Sequence, residues 1–132
     1  MHTPYDIKLK HPADFKVKYR FYSELEGGKK TLPKQGYRAD FWYYHEEQPD
    51  PNSIYMIWPE FEDEFGNVIT DSNIPIAQEG TARMWIIMAG MRKFHRDKIK
   101  VGLKGYVMEG SRRVAECQVL ELLALKTNPA DQ

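Results

Sequence analysis

The strongest constraint on the fold of this chain is a repeated alternation of apolar and polar residues. In the segment from 15 to 22 the apolar positions are Phe15, Val17, Tyr19 and Phe21, and the residues between them are basic. A period of two places successive side chains on opposite faces of a β-strand. The pattern recurs from 37 to 44, from 80 to 88 and from 115 to 119. We therefore predict a strand at each of these positions.

Turn signals separate the alternating segments and set the fold class. Gly27-Gly28, the Pro- and Asn-rich stretch from 48 to 53, and Glu109-Gly110-Ser111 all favour loops or tight turns. The segment from 89 to 100 is ambiguous between an exposed loop and a short helix. Leu120 and Leu122 shift the phase of the last alternation, which predicts a β-bulge. Six or seven short strands without a long helix indicate an all-β protein, either a sandwich or a closed barrel.

The length and composition are consistent with one domain. The chain has 132 residues, of which 42% are hydrophobic, so it can bury a core without covalent cross-links. Cys117 is the single cysteine, which excludes an internal disulfide and favours a reducing compartment. No signal peptide and no apolar stretch of membrane-spanning length is apparent. We expect a cytoplasmic protein with an N-terminal arm (1–12), a barrel domain (13–126) and a flexible tail (127–132).

Charge is unevenly distributed along the chain although the formal net charge is zero. Residues 1–38 carry nine Lys/Arg and four Asp/Glu, residues 39–79 carry ten Asp/Glu and no Lys/Arg, and residues 80–132 carry ten Lys/Arg and five Asp/Glu. The sums are +5, −10 and +5. The two basic segments form one positive face if the fold brings them together. The acidic block from 48 to 79 is expected to be an insertion.

Two sequence motifs are typical of one known protein family. The first is Glu26-Gly27-Gly28-Lys29, followed by Thr31 and by Gly36-Tyr37-Arg38-Ala39-Asp40-Phe41. The second runs from Tyr106 through Glu109-Gly110 to Ala115. Together they resemble the C-terminal β-barrel domain of elongation factor Tu, and the second motif resembles the closing hairpin of that family. The similarity covers roughly residues 13–48 and 80–123. It implies a closed antiparallel barrel of six or seven strands, standing alone without a GTPase domain.

The resemblance also implies which residues contact partners. In the family this barrel has no active site, and its surface contacts the T-stem of aminoacyl-tRNA, the nucleotide-binding domain and the exchange factor. The hairpin turn that contacts tRNA matches Glu109 and Gly110. Two other contact positions differ here, because Asp40 replaces a glutamine and Pro49 falls near a threonine. Both differences weaken phosphate contacts, so ordinary tRNA delivery is not expected.

No catalytic, cofactor-binding or metal-binding pattern is found in the sequence. His2, His11, His45 and His95 have no metal-ligand spacing, and Cys117 lies in an alternating strand where a buried thiol is expected. There is no phosphate-binding loop motif for GTP. We therefore expect a protein that is not an enzyme and has no cofactor.

Three functions remain open from the sequence. The first is a protein-interaction module that docks on a partner of the elongation system, and the second is an RNA-binding module that uses a basic face with interleaved aromatic residues. The third is an immunity or inhibitor protein whose acidic segment covers a basic partner site. The candidate contact residues for a partner or RNA are Lys29, Lys30, Arg38, Glu109, Gly110, Arg112 and Arg113. The candidate acidic segment is formed by Glu60, Glu62, Asp63 and Glu64. Pairing between copies through edge strands is a further structural possibility.

Overall fold

The fold consists of six antiparallel strands and a few short helical segments. It is seen in a computed structural model that describes residues 1–46 and 54–130. The strands are β1 (Phe15–Phe21), β2 (Asp40–Trp42), β3 (Ile57–Phe61), β4 (Glu79–Ile86), β5 (Lys104–Glu109) and β6 (Arg112–Leu122). The α-helices are α1 (Tyr5–Leu9) and α2 (Arg92–Arg96), and short 3-10 turns cover Glu24–Glu26 and Ala89–Met91.

The strands form one sheet in the order β2-β5-β6-β1-β4-β3. The sheet curls until its two edges approach each other, and Phe41 and Tyr55 exchange two backbone hydrogen bonds of 2.9 and 2.8 Å there. In the described residues this single pair is the whole ladder between the β2 edge and the segment that leads into β3. The molecule is therefore a curled half-barrel, and the prediction of a closed barrel was wrong. The physical reason is that β2 has three residues and cannot sustain a continuous ladder.

The hydrophobic core lies inside the curl, where the alternating residues point. Phe15, Val17, Tyr19 and Phe21 of β1 are at most 3% exposed, which confirms the predicted inward face of this strand. Gly105 lies beneath the Phe41 ring, where an added Cβ would meet ring atoms at 2.2 Å. The small residue therefore lets the ring pack directly on the β5 backbone.

The predicted bulge is confirmed in β6. Lys16 pairs with Glu121 whereas the next residue of β1, Val17, pairs with Val119, so Leu120 is an extra residue in the ladder. The bulge returns Leu122 to partial burial while Leu120 stays 43% exposed. The phase change in the sequence thus has a local backbone cause.

The outer surface of the sheet is divided into a covered half and an open half. The N-terminal arm and α1 cover β3 and β4, where Tyr5 packs against Trp58 and Trp85. The buried carboxylate of Glu60 fastens the arm, because it contacts His2 Nε2 at 2.6 Å and accepts from the Tyr5 amide at 2.8 Å. The outward side chains of β1, β6, β5 and β2 form the other half, which we call the open face.

Asp14, the residue before β1, connects three separate parts of the chain at the end of the sheet where β4 and β6 finish. Its buried carboxylate accepts from Arg92 Nε at 2.7 Å, from Asn128 Nδ2 at 2.9 Å and from the Ile86 amide at 2.8 Å. Arg92 also donates to the Ile86 and Pro129 carbonyls. Asn128 and Pro129 belong to the segment predicted to be a flexible tail, yet Asn128 is buried and hydrogen-bonded here.

Replacing Asp14 by alanine is expected to destabilise the fold strongly. The change leaves the Arg92 guanidinium buried without its carboxylate, and a broken buried ion pair costs about 3–5 kcal/mol. The matched control is Asp6→Ala on the exposed surface of α1, for which we expect a change within about 0.5 kcal/mol. Urea unfolding followed by tryptophan fluorescence measures both, and equal midpoints would contradict the role given to Asp14.

Candidate functional site

The open face is organised in rows that run across neighbouring strands. Arg20 of β1 is opposite Glu116 of β6, which is opposite Tyr106 of β5. Tyr106 is in turn opposite Trp42 of β2. The row therefore passes from an ion pair to a pair of aromatic rings. Cross-strand neighbours at this spacing lie side by side, so the row is continuous across the four strands, although Trp42 at its end is only 6% exposed.

Arg113 lies over the aromatic end of this row. Its guanidinium carbon is 4.0 Å from the Tyr106 ring centroid and 5.0 Å from that of Trp42. The two rings are stacked, with centroids 5.8 Å apart and planes inclined by 28°. Cation–π contact with both rings holds the arginine in place. Tyr, Trp and Arg concentrated in one patch are the residues most enriched at interface hot spots.

Arg20 is held from two sides by carboxylates. Its guanidinium donates to Glu26 at 3.0 and 3.1 Å and to Glu116 at 3.1 Å. A capping box with Ser23 orients Glu26 at the start of the 3-10 turn. The hydrogen bonds from Arg20 lower the pKa of Glu26 to about 2. This part of the open face is therefore charged but locally neutralised.

The closing hairpin brings together several residues predicted from the sequence. Glu109 contacts Lys29 Nζ at 2.6 Å and Arg112 at 3.6 Å, and it accepts a short hydrogen bond from the Tyr37 hydroxyl. Burial raises the pKa of Glu109, but the hydrogen bonds from Lys29 and Tyr37 outweigh it and the pKa is lowered. Gly110 follows with φ of 61°, a left-handed conformation suited to the turn. Lys29 and Arg112 are thus already paired with an acid of the same chain.

Two other predicted basic residues lie apart from this hairpin cluster. Arg38 stacks over Trp58 at 4.7 Å, on the covered half of the sheet, and Lys30 is exposed on the loop after the 3-10 turn. Arg113 contacts Trp42 and Tyr106 instead. The structure therefore does not assemble the predicted basic residues into one cluster.

The predicted acidic segment is split by burial. Glu60 and Glu62 are 1% and 4% exposed, and both are occupied by partners in the chain. Burial raises the pKa of Glu62, but hydrogen bonds from Arg83, Thr81 and Lys16 outweigh it and the pKa is lowered. Asp63 and Glu64 are exposed. Residues 48–53 of the predicted insertion, including Pro49, lie outside the described residues.

An ordered turn from 63 to 67 presents a feature that the sequence reasoning missed. Asp63 accepts from the amides of Phe65 and Asn67 at 2.8 and 3.0 Å, and Arg83 donates to the Gly66 carbonyl at 3.2 Å. Phe65 at its tip is 80% exposed. The sequence signal that could have identified this feature is an aromatic residue, Phe65, within a segment of turn-forming residues.

The histidines occupy structural positions. His95 is buried, with Nδ1 2.6 Å from the Tyr43 hydroxyl, and His45 Nε2 is 2.7 Å from the Tyr55 hydroxyl. These four rings pack together with Phe94. Across residues 1–46 and 54–130, no group of three or more His, Cys, Asp or Glu is placed to hold a metal ion.

Two comparisons with known proteins find no match. No protein-family model matches the chain, and no curated protein matches it significantly. In the described residues, no helix has the length and apolar character needed to cross a membrane.

Acid is expected to destabilise the protein through His95. Burial lowers the pKa of His95 to about 4 from the usual histidine value of 6.5, and the charge of Lys98 adds to the effect. The unfolded chain binds this proton first, so stability falls as the pH drops from 6.5 to about 4. The loss is on the order of 3 kcal/mol.

Urea midpoints measured across this pH window check the expectation. His95→Gln retains a polar partner for Tyr43 but does not titrate, and it should flatten the dependence between pH 6.5 and 4. Carboxylates with lowered pKa, such as Glu26, affect stability only below their usual value of 4.5. An unchanged slope in His95→Gln would contradict the assignment.

Proposed function

We propose that this chain is a non-enzymatic, cytoplasmic protein-interaction module that docks a partner through the open face. The observation that carries the proposal is the exposed guanidinium of Arg113, which is held over the half-buried Tyr106 and the buried Trp42 on the half of the sheet that the N-terminal arm leaves uncovered. Rigid aromatic rings and a pre-positioned arginine bind with little loss of side-chain entropy. Charged residues surround the stack, as in the polar rim of an interface.

A protein partner agrees better with the charges than RNA does. Lys29 and Arg112 pair with Glu109, and Arg20 is shared between Glu26 and Glu116. Binding of nucleic acid gains affinity when protein cations contact phosphates and release the counterions that surround them. Cations that are already paired with carboxylates of the same chain contribute less to this affinity. Interspersed charges of both signs instead favour complementarity with a protein surface.

The resemblance to the elongation factor Tu barrel suggests where the partner is found. Glu109 and Gly110, which match the family's contact turn, lie in the hairpin between β5 and β6 next to the open face. We therefore propose that the partner belongs to the elongation system. The nucleotide-binding domain of elongation factor Tu and its exchange factor are the candidates to test first.

Binding of these two purified proteins to the immobilised chain tests the proposal. We expect one of them to bind, and Arg113→Glu to weaken binding by roughly tenfold or more, because it reverses the charge at the centre of the stack. Lys8→Glu makes the same charge change on α1, on the covered half, and should have little effect. Thermal melting shows whether each variant is folded.

Two results would overturn this function. One is that neither protein binds, and the other is that binding is unaffected by Arg113→Glu. Purified tRNA at low salt is included as a third ligand. Binding of tRNA that falls steeply with salt, in the absence of protein binding, would favour the RNA-binding function instead.

A second candidate function, inhibition of a basic protein, is favoured by the turn from 63 to 67. Asp63 and Glu64 precede the exposed Phe65, and the hydrogen bonds from the Phe65 and Asn67 amides to the Asp63 carboxylate hold the tip in one conformation. An apolar pocket with a basic rim complements such a tip. A nuclease active site has the basic rim that this arrangement requires.

A photoreactive phenylalanine analogue at position 65 tests this second function in cells that encode the chain. We expect a cross-link to a basic protein, identified by mass spectrometry. The same analogue at Leu25, which is fully exposed elsewhere, is the control and should give no such adduct. Absence of an adduct at 65, or the same adduct at both positions, would exclude the inhibitor function.

A further inference from the structure

We infer that Lys18, Gln118 and Lys104 form an anion-binding subsite of the open face, which receives carboxylates from an acidic, extended segment of the partner protein. The inference rests on the proposed function and specifies the chemistry of the partner. It is carried by the placement of these three residues in one row across the sheet.

Strand register brings the three residues side by side. Lys18 of β1 is directly opposite Gln118 of β6, and Gln118 is directly opposite Lys104 of β5. Adjacent strands are about 5 Å apart, so the two lysines stand about 10 Å apart with the glutamine between them. All three side chains are exposed on the same surface.

This row lacks the carboxylate that other cations of the sheet have. On β1, Lys16 pairs with Glu62 at 3.1 Å and Arg20 pairs with Glu116 at 3.1 Å. Among the described residues, Lys18 and Lys104 have no carboxylate oxygen within 4.0 Å, the limit for an ion pair. A neutral amide stands between them where a carboxylate would neutralise both. The two exposed ammonium groups are therefore available to pair with carboxylates of a partner.

The surface around the row is shaped to receive a ligand. The row forms part of a depression of about 320 Å³, which Tyr106 and Arg20 also line. Two carboxylates, Glu79 and Glu116, lie on the neighbouring row. The cationic row and the carboxylates thus occupy adjacent strips of one depression.

This arrangement favours separate carboxylates over a continuous phosphate chain. Lys ammonium groups and the Gln amide N–H groups all donate hydrogen bonds to oxyanions. Glu79 and Glu116 repel a nucleic acid backbone, whose charges are closely and evenly spaced. An acidic peptide can place its carboxylates on the lysines and its neutral or basic residues beside the glutamates. Charge complementarity therefore identifies an acidic protein segment as the occupant.

The variant that tests the subsite is Gln118→Glu, which supplies the missing carboxylate from within the chain. The probe is a synthetic peptide of alternating Glu and Gly, titrated into ¹⁵N-labelled protein and followed by NMR. We expect the side-chain amide of Gln118 and the backbone amides of Lys18 and Lys104 to shift on binding. Gln118→Glu should weaken peptide binding roughly tenfold and should not lower the melting temperature.

The controls separate a specific subsite from general attraction. Lys8→Gln changes the net charge by the same amount as Gln118→Glu, on the covered half, and should leave binding unchanged. Unaltered binding by Gln118→Glu, or shifts at Lys8 as large as those at Lys18, would overturn the inference. Oligouridylate that binds this row more tightly than the peptide would also overturn it, because the occupant would then be RNA.

Failure of this inference and failure of the proposed function give different results. If the subsite is absent but the protein docks through the stack, Arg113→Glu still weakens binding of the elongation-system partner whereas Gln118→Glu does not. If the proposed function is wrong, Arg113→Glu has no effect on that binding, whatever the peptide does.

Discussion

The buried carboxylate of Asp14 is the interaction on which the arrangement of the chain depends. It joins the residue before β1, the end of β4, the guanidinium of α2 and the segment after β6 through one set of hydrogen bonds. Each of these segments leaves the sheet at the same end, where strand ladders no longer fix them. The network substitutes for those ladders, since a satisfied buried polar cluster allows few alternative arrangements. The N-terminal arm leads into this network from β3 and β4, where Glu60 fastens it and leaves the other half of the sheet open.

Alternation in the sequence predicted β1, β2, β4 and β6 and the bulge, but not the extent of closure. The inward-facing residues of β1 and the phase change at Leu120 depend only on neighbouring positions in the sequence. The periodicity of the sequence therefore predicts both directly. Whether the edges join depends on pairing between segments far apart in the sequence, here reduced to Phe41 and Tyr55. The resemblance to a barrel domain led to the expectation that the sheet closes. The alternation within single strands could not test that expectation. Whether kinship with the elongation factor barrel explains the two motifs remains a prediction.

The candidate site was only partly predictable for a related reason. Arg113, Lys29 and Glu109 were each named from the motifs, but the ion pair between Lys29 and Glu109, which are 80 residues apart in the sequence, was not predicted. Glu60 and Glu62 were expected at the surface because an acidic run is normally solvated. They are buried because the arm folds over one and the cations of β1 and β4 enclose the other. The row of Lys18, Gln118 and Lys104 appears only when the register of three strands is known.

The position of Cys117 has a practical consequence. Its thiol faces the core opposite Tyr19 and is 5% exposed, and burial raises its pKa. A thiol that stays protonated and enclosed reacts slowly with alkylating reagents, because the thiolate is the nucleophile. Cysteines introduced at surface positions would therefore be the dominant sites of maleimide attachment. Fluorophores or spin labels can be placed at chosen positions of the folded protein without first removing the native sulfur.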